Sequence, residues 1–204
     1  MPDDTTHRRK RAPAMSVEDR REAIVAATLP LLFDHGANVT TSQIARAAGI
    51  AEGTVFRAFK DKQELIATCV RSVLAVGGEL ALLAEARRAE QLADRLSRAI
   101  GAVSGYLDRM WKLMGVLRDS GYDPHRKQAE HKGPPVEMQQ ISAGIADLFE
   151  PDAHRMRVAP ELAARLLLGL VFTNRMQGDG FGDSTADAEQ LVELYLHGVL
   201  KGEQ

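Results

Sequence analysis

The side chains of this 204-residue chain that could act together chemically lie between Thr41 and Lys62, in the stretch TSQIARAAGIAEGTVFRAFKDK. They are hydroxyls, amides and cations, the groups that bind phosphate oxygens and base edges. Thr41 and Lys62 each stand at a helix start, where they are placed to hold phosphates, and the helix N-termini add backbone donors. After Gly49, the residues Glu52, Gly53, Thr54 and Arg57 form the side that would face a groove. Gly53 lets a backbone come close. Thr54 offers a methyl to thymine or a hydroxyl to phosphate. Arg57 suits either a bidentate pair with guanine or a plain phosphate contact. Glu52 either accepts from a cytosine amine or serves the positive helix end.

Those side chains need a scaffold, and the spacing supplies one. Ile44, Ala45 and Ala48 recur at helical intervals, Gly49 is the residue best able to turn left-handed at a helix end, and Ile50 anchors the turn. A second short segment follows, from Thr54 to Phe59. Two short helices joined by a glycine turn make a helix-turn-helix, whose second helix lies in the major groove of DNA while the first crosses the backbone.

The pattern resembles the tetracycline-repressor (TetR) family. The matching residues are Thr41, Ile44-Ala45, Ala48-Gly49, Gly53-Thr54, Phe56, Phe59, Lys62 and Leu65, and upstream Ile24, Ala26-Ala27, Leu32-Phe33 and Gly36. The resemblance covers roughly residues 17 to 66 and is only architectural beyond them. It implies that Ser42 and Gln43 approach a base or phosphate. It also marks two departures. Ala51 stands where the family often has serine, so the third helix lacks a hydroxyl cap. Phe56 replaces the common tyrosine, so its ring can pack on sugar or a thymine methyl but cannot donate to phosphate. In the family the fourth helix links a DNA-binding head to a regulatory body.

Composition agrees with a divided molecule. The net charge is −2, yet residues 7–62 hold ten Lys/Arg against six Asp/Glu, and residues 63–204 hold sixteen against twenty. A basic first third on an acidic remainder suits a DNA-facing head on a body with another task. Hydrophobic residues at 45% are enough for a packed core. The longest clean apolar run, Leu166–Phe172, is far shorter than the ~18 residues of a membrane span. No apolar segment follows the basic His7–Arg11, which therefore does not read as a secretory signal. A single cysteine, Cys69, suits a reducing cytoplasm and reads as a core residue.

The expected organisation is all-α: a basic arm over 1–15, a three-helix DNA-binding domain over 16–62, and a regulatory and dimerisation bundle over 63–204, with about nine helices in all. The arm is either a solvated tail or a reach by Arg8, Arg9, Lys10 and Arg11 to phosphates or the minor groove. Ser16 caps the first helix, which runs through Pro30 with a kink to Gly36. Thr40 or Thr41 caps the second. Asp61 with Glu64 forms a capping box for the fourth, and Gly77-Gly78 bends or breaks it. From Glu79 to Gly121 the periodicity is helical throughout. A loop spans Asp119 to Pro135, a seventh helix runs from about Pro135 to Phe149, an eighth from Pro160 to about Gln177, and a ninth follows, with Ser184 and Asp187 as its cap.

The middle of the eighth helix is apolar all round and so must be buried on more than one side. Together with the ninth it presents Leu166, Leu170, Leu191, Leu194, Tyr195 and Gly198 to a second copy, giving a homodimer, the alternative being a wholly intramolecular core. Met110, Trp111, Met114, Met138, Phe172 and Met176 suit either an adaptable apolar pocket or plain core, with Asn174 and Arg175 as polar handles for a small apolar or amphipathic effector. No cofactor or metal is expected. His125 and His131, with Asp123 and Glu130, have no ligand spacing, and no catalytic motif is present. The functional expectation is a cytoplasmic, dimeric transcriptional repressor of a palindromic double-stranded DNA operator, released by an effector. The alternatives are an effector-independent architectural DNA-binding protein and a small-molecule-binding bundle with a vestigial head.

Overall fold

A computed structural model describes residues 15–122, 135–176 and 186–199. Among them are nine α-helices and no β-strand: α1 (Val17–His35), α2 (Thr41–Ala47), α3 (Glu52–Ala58), α4 (Lys62–Leu74), α5 (Gly77–Ala86), α6 (Leu92–Asp119), α7 (Val136–Phe149), α8 (Pro160–Arg175) and α9 (Ala188–Val199). The arm with Arg8–Arg11, the histidine-bearing loop and Ser184 lie outside the described residues. The chain forms two compact units, one up to Cys69 and one from Val70 on. The division falls inside α4.

In the first unit, local side-chain chemistry sets each helix end. Ser16 accepts from the Asp19 amide at 2.9 Å. Helix α1 is continuous through Pro30. Pro30 deprives only the Ala26 carbonyl of a partner, and both residues are exposed, where water can replace the bond. Thr40, not Thr41, caps α2. It accepts from the Gln43 amide at 3.2 Å, while its own amide donates to Gln43 Oε1 at 2.8 Å, a reciprocal capping box. Gly49 takes a φ of +66°, and the amides of Gly49 and Ile50 return to the carbonyls of Arg46 (3.2 Å) and Ala45 (3.0 Å). This pair of bonds satisfies the carbonyls that the end of α2 would otherwise orphan. Ala51 gives α3 no side-chain cap. Asp61 accepts from the Glu64 amide at 2.8 Å, and Glu64 reaches back to the Lys60 amide at 2.7 Å.

Helices as short as α2 and α3, seven residues each, are not stable alone. They persist because Ile44, Ala45, Val55, Ala58 and Phe59 are buried in one core with Ile24, Leu32, Val39, Leu65, Ile66 and Cys69 of the same unit. Full burial of each large aliphatic side chain is worth ~1.5–3 kcal/mol. Cys69 belongs to this core, and burial pushes its thiol up to about 12.

The second unit is a bundle of α5 to α9 around Leu83, Leu96, Leu107, Ile141, Ile145, Phe149, Leu167 and Val171. Helix α7 packs on α5 with no room to spare: a Cβ at Gly144 would lie 2.9 Å from Leu83 Cδ1. The helical run from Glu79 to Gly121 holds two helices, as the expected helix count implies, and divides over residues 87–91. No Gly or Pro marks the break. Arg95 stabilises it instead, because its buried guanidinium donates to the carbonyls of Ala89 (3.3 Å) and Glu90 (3.4 Å) and pairs with Asp152. The described part of α9 is capped by Asp187, which accepts from the Gln190 amide at 2.8 Å, so Asp187 is the cap itself rather than the acid three residues after one.

One helical stretch among the described residues, Lys62–Ala86, has the length and apolar composition to cross a membrane. It is interrupted at Ala75-Val76. Both pieces place side chains in protein cores, Leu65 and Ile66 from α4 and Leu83 and Ala86 from α5.

Candidate nucleic-acid interface

Helix α3 turns Val55 and Ala58 inward and leaves Glu52, Gly53, Phe56 and Arg57 exposed, with Thr54 half-buried at the edge. Burial of the two apolar positions therefore decides which side of a two-turn helix is presented. Phe56 is 51% exposed, a large area for an aromatic ring to leave in water unless something covers it. A Cβ at Gly53 would meet no other atom of the protein within 4 Å. Nothing inside the chain thus requires glycine there, and open space lies outside that position.

Five of the described cations of this unit divide into two groups. Arg21 and Lys62 are engaged internally. Arg21 donates to the Ala58 carbonyl at the end of α3, pairs with Glu64 at 2.8 Å, and lies 4.1 Å over the Phe59 ring. Lys62 Nζ donates to the carbonyls of Ala37 (2.8 Å) and Val39 (3.1 Å), tying the connection between α1 and α2 to the start of α4. Arg46, Arg57 and Lys60 are exposed and hold no side-chain partner among the described residues. Free guanidinium and ammonium groups, with an uncovered aromatic ring in the same unit, offer the charge and contact that nucleic-acid binding uses.

The sequence expectation for Lys62 therefore meets a competing role, because two of its three donors already hold backbone carbonyls. Thr41 is similar: its hydroxyl donates to Glu52, joining the starts of α2 and α3. Gln43 has its carbonyl oxygen in the capping box, which leaves its amide NH2 group outward. Ser42 is exposed beside it. Arg46 and Lys60 escaped the sequence reading, since spacing alone does not say which cations are already paired. Nor could it find Arg21, whose partners lie 37 and 43 residues away.

In the second unit the candidate effector residues do not form one set. Trp111 and Phe172 are in ring contact, with centroids 5.5 Å apart. Met110, Met114 and Met138 are half-buried, while Phe172 and Met176 lie at the surface. The two polar handles are occupied. The Asn174 amide donates to the Ala186 carbonyl at 3.0 Å and accepts from the Ala186 amide at 2.8 Å, pinning the lead-in to α9. Arg175 pairs with Asp108. Of the candidate dimer residues, Leu166 is 50% and Leu194 64% exposed, and Leu170 is half-buried. Leu191 and Tyr195 instead belong to the chain's own core, where the Tyr195 hydroxyl donates to the Ala163 carbonyl at 2.6 Å. Gly198 lies in α9, at its last turn.

A packed helix-turn-helix with an exposed, partly aromatic cationic face, followed by an all-helical body, defines a DNA-binding regulator. A family model described as bacterial regulatory proteins, tetR family, matches residues 24–69. The HTH-type transcriptional regulator BetI of Serratia proteamaculans (strain 568) is 34% identical over 196 residues, covering 90% of this chain and 93% of that protein. The regulator of the same name from Cronobacter sakazakii (strain ATCC BAA-894) is 27% identical over 195 residues, covering 91% and 95%. A crystal structure of a TetR-family transcriptional regulator from Mesorhizobium loti MAFF303099 shares the fold, with a TM-score of 0.69 at 19% identity over 92% of this chain and 100% of that one. The chain belongs to the TetR family of transcriptional regulators, which are not enzymes.

Proposed function

We propose that the protein is a homodimeric repressor that binds a palindromic operator through α3 and releases it when a small apolar or amphipathic effector occupies the body. The observation that carries this reading is the exposed face of α3. Gly53, Phe56 and Arg57 are turned outward by the burial of Val55 and Ala58, and nothing else among the described residues accounts for an uncovered ring and an unpaired guanidinium there. On this reading Arg57 reads a base, Phe56 packs on sugar or a thymine methyl, and Ser42, Gln43, Arg46 and Lys60 hold the backbone. Thr41, Glu52 and Thr54 border the same surface.

Support for the dimer comes from the apolar side chains that α8 and α9 leave exposed, Leu162, Leu166 and Leu194, beside Gly169, where a Cβ would meet nothing within 4 Å. A second copy would bury them and bring two heads to two half-sites. Membership of a family of DNA-binding regulators supports a cytoplasmic location.

Selection of bound duplexes from a random pool, with sedimentation of the selected complex, tests the reading. The expected result is a palindrome bound by an even number of chains. A monomer that selects no sequence would overturn it. A selected operator that no compound releases would remove the effector and leave an effector-independent binder.

A further inference from the structure

Arg57 and Lys60, two exposed cations of the candidate interface, are separated only by Ala58 and Phe59, both buried. Those two residues begin the corner between α3 and α4. Three groups of the corner are held by two side chains. The Ala58 carbonyl, at the end of α3, accepts from Arg21 Nη1. The Phe59 ring lies under the same guanidinium, with 4.1 Å from its central carbon to the ring centroid. The Lys60 amide donates to Glu64 Oε2 at 2.7 Å, and Glu64 Oε1 accepts from Arg21 Nη2 at 2.8 Å.

Arg21 comes from α1, so one planar group joins three helices. Arginine suits this place because its fork aims several donors in one plane while its face stacks on a ring, and an ammonium does neither. The cation also lies at the negative end of α3, where it is favourable. Its charge is matched by Glu64. The start of α3 is less firmly fixed. Ala51 gives it no side-chain cap, and the bond from Thr41 to Glu52 is exposed. A seven-residue helix held most firmly at its end takes its direction from that end.

We propose that Arg21 is the positioning residue of the interface. It touches no DNA; by clamping the corner between Arg57 and Lys60 it sets the direction of α3 and the placement of both cations. The effect on binding rests on the reading of α3 as the DNA-facing helix, while the clamp itself does not.

The test compares the full chain with Arg21→Met on a duplex selected by the unaltered chain and on a scrambled duplex of the same length. Binding is measured well below the melting temperature of both proteins. Arg21→Met should reduce the ratio of the two affinities by about tenfold, the equivalent of one charge-assisted hydrogen bond. The salt slope should stay the same, whereas loss of a phosphate contact lowers it by ~0.9. Arg21→Lys keeps the charge and should not restore the ratio, because one ammonium cannot hold Ala58, Phe59 and Glu64 together. It serves the same comparison if the methionine variant does not fold. Val39→Ala, a buried position between α1 and α2, should lower the melt and leave the ratio alone. Hydrogen exchange on the free chains reads the clamp without DNA. Arg21→Met should speed exchange at the Phe59 and Lys60 amides, while the Ala48 amide, bonded to the Ile44 carbonyl at 2.9 Å, keeps its rate. A lowered salt slope would make Arg21 a phosphate ligand and overturn the proposal. An unchanged ratio, rescue by lysine, or exchange raised equally at Ala48 would each overturn it too. If the unaltered chain selects no duplex, the reading of α3 fails and the positioning role with it, and local exchange still separates that failure from the absence of a clamp.

Discussion

The helices that carry the candidate DNA-facing residues are seven residues long, while the body contains one of 28, and the two units are held together differently. In the first unit polar side chains close nearly every joint: Thr40 with Gln43, Asp61 with Glu64, Arg21 on the end of α3, and Lys62 on two carbonyls. In the second, long apolar stripes do most of the work and the few buried charges sit at single joints, such as Arg95 with Asp152 and Arg109 with Glu79. The difference follows from length. Two-turn helices have most of their carbonyls and amides at ends, so orphaned groups dominate their energetics. A 28-residue helix has few ends and a continuous apolar face. A unit built on end chemistry can also keep a polar face outward without losing its fold, which a reader of DNA requires.

The strongest way to break this contrast is to attack a charge in the apolar unit. Asp152→Ala would strand the buried Arg95 guanidinium, and denaturant unfolding should show a loss of ~3–5 kcal/mol. A loss under 1 kcal/mol would mean that the joint is held by packing alone. In the polar unit, Arg57→Ala should cost ~1–3 kcal/mol of discrimination at one base position with the melting temperature unchanged. Equal losses on selected and scrambled duplexes would demote Arg57 to a phosphate contact.

Lys62→Met removes two carbonyl partners and is expected to destabilise the head by ~1–2 kcal/mol in thermal melts while leaving the salt dependence of DNA binding unchanged. Lys60→Ala should lower that salt slope by ~0.9 and leave the melt alone. If the two results exchange places, Lys62 is the phosphate ligand and Lys60 is not. Gly53→Ala carries opposite signs: alanine should stabilise α3 by ~0.5–1 kcal/mol, since its Cβ meets nothing, while DNA affinity falls because the surface it closes is the one that approaches the duplex. Unchanged affinity would show that α3 does not come that close.

The buried Cys69 gives the smallest effect, confined to alkaline pH. Its folded thiol sits at about 12 against an ordinary value of 9.0. The folded state therefore favours the neutral form, and that contribution is complete below pH 9 and is lost as the pH rises toward 12. A thiol reagent at pH 8 should not react until the chain unfolds. Rapid reaction in the folded state would place Cys69 outside the core.

Much of this was legible in the residues. Ser16, Thr40, Gly49, Asp61 and the absent cap at Ala51 are local signals, each acting within five residues, so the ends of α1 to α3 and the start of α4 could be read directly, whereas α4 stops at Leu74, ahead of the expected Gly77-Gly78, which open α5 instead. The break at 87–91 could not, because its cause is a guanidinium that also reaches Asp152 of a later turn. The same distance hid Arg21, which no periodicity connects to Ala58 or Glu64. Asn174 and Arg175 looked like ligand handles because polar residues in an apolar helix stand out. That Ala186 and Asp108 already occupy them depends on neighbours 12 and 67 residues away.

By itself, then, the sequence determined the helices, their caps, the glycine turn and the family, since these rest on interactions within a turn or two of chain and on a long ordered pattern of residue types. Only the tertiary structure decided which of the described cations are free and which are engaged, and which leucines face out. Those are questions of partners, and a partner far along the chain leaves no local trace in residue type or spacing.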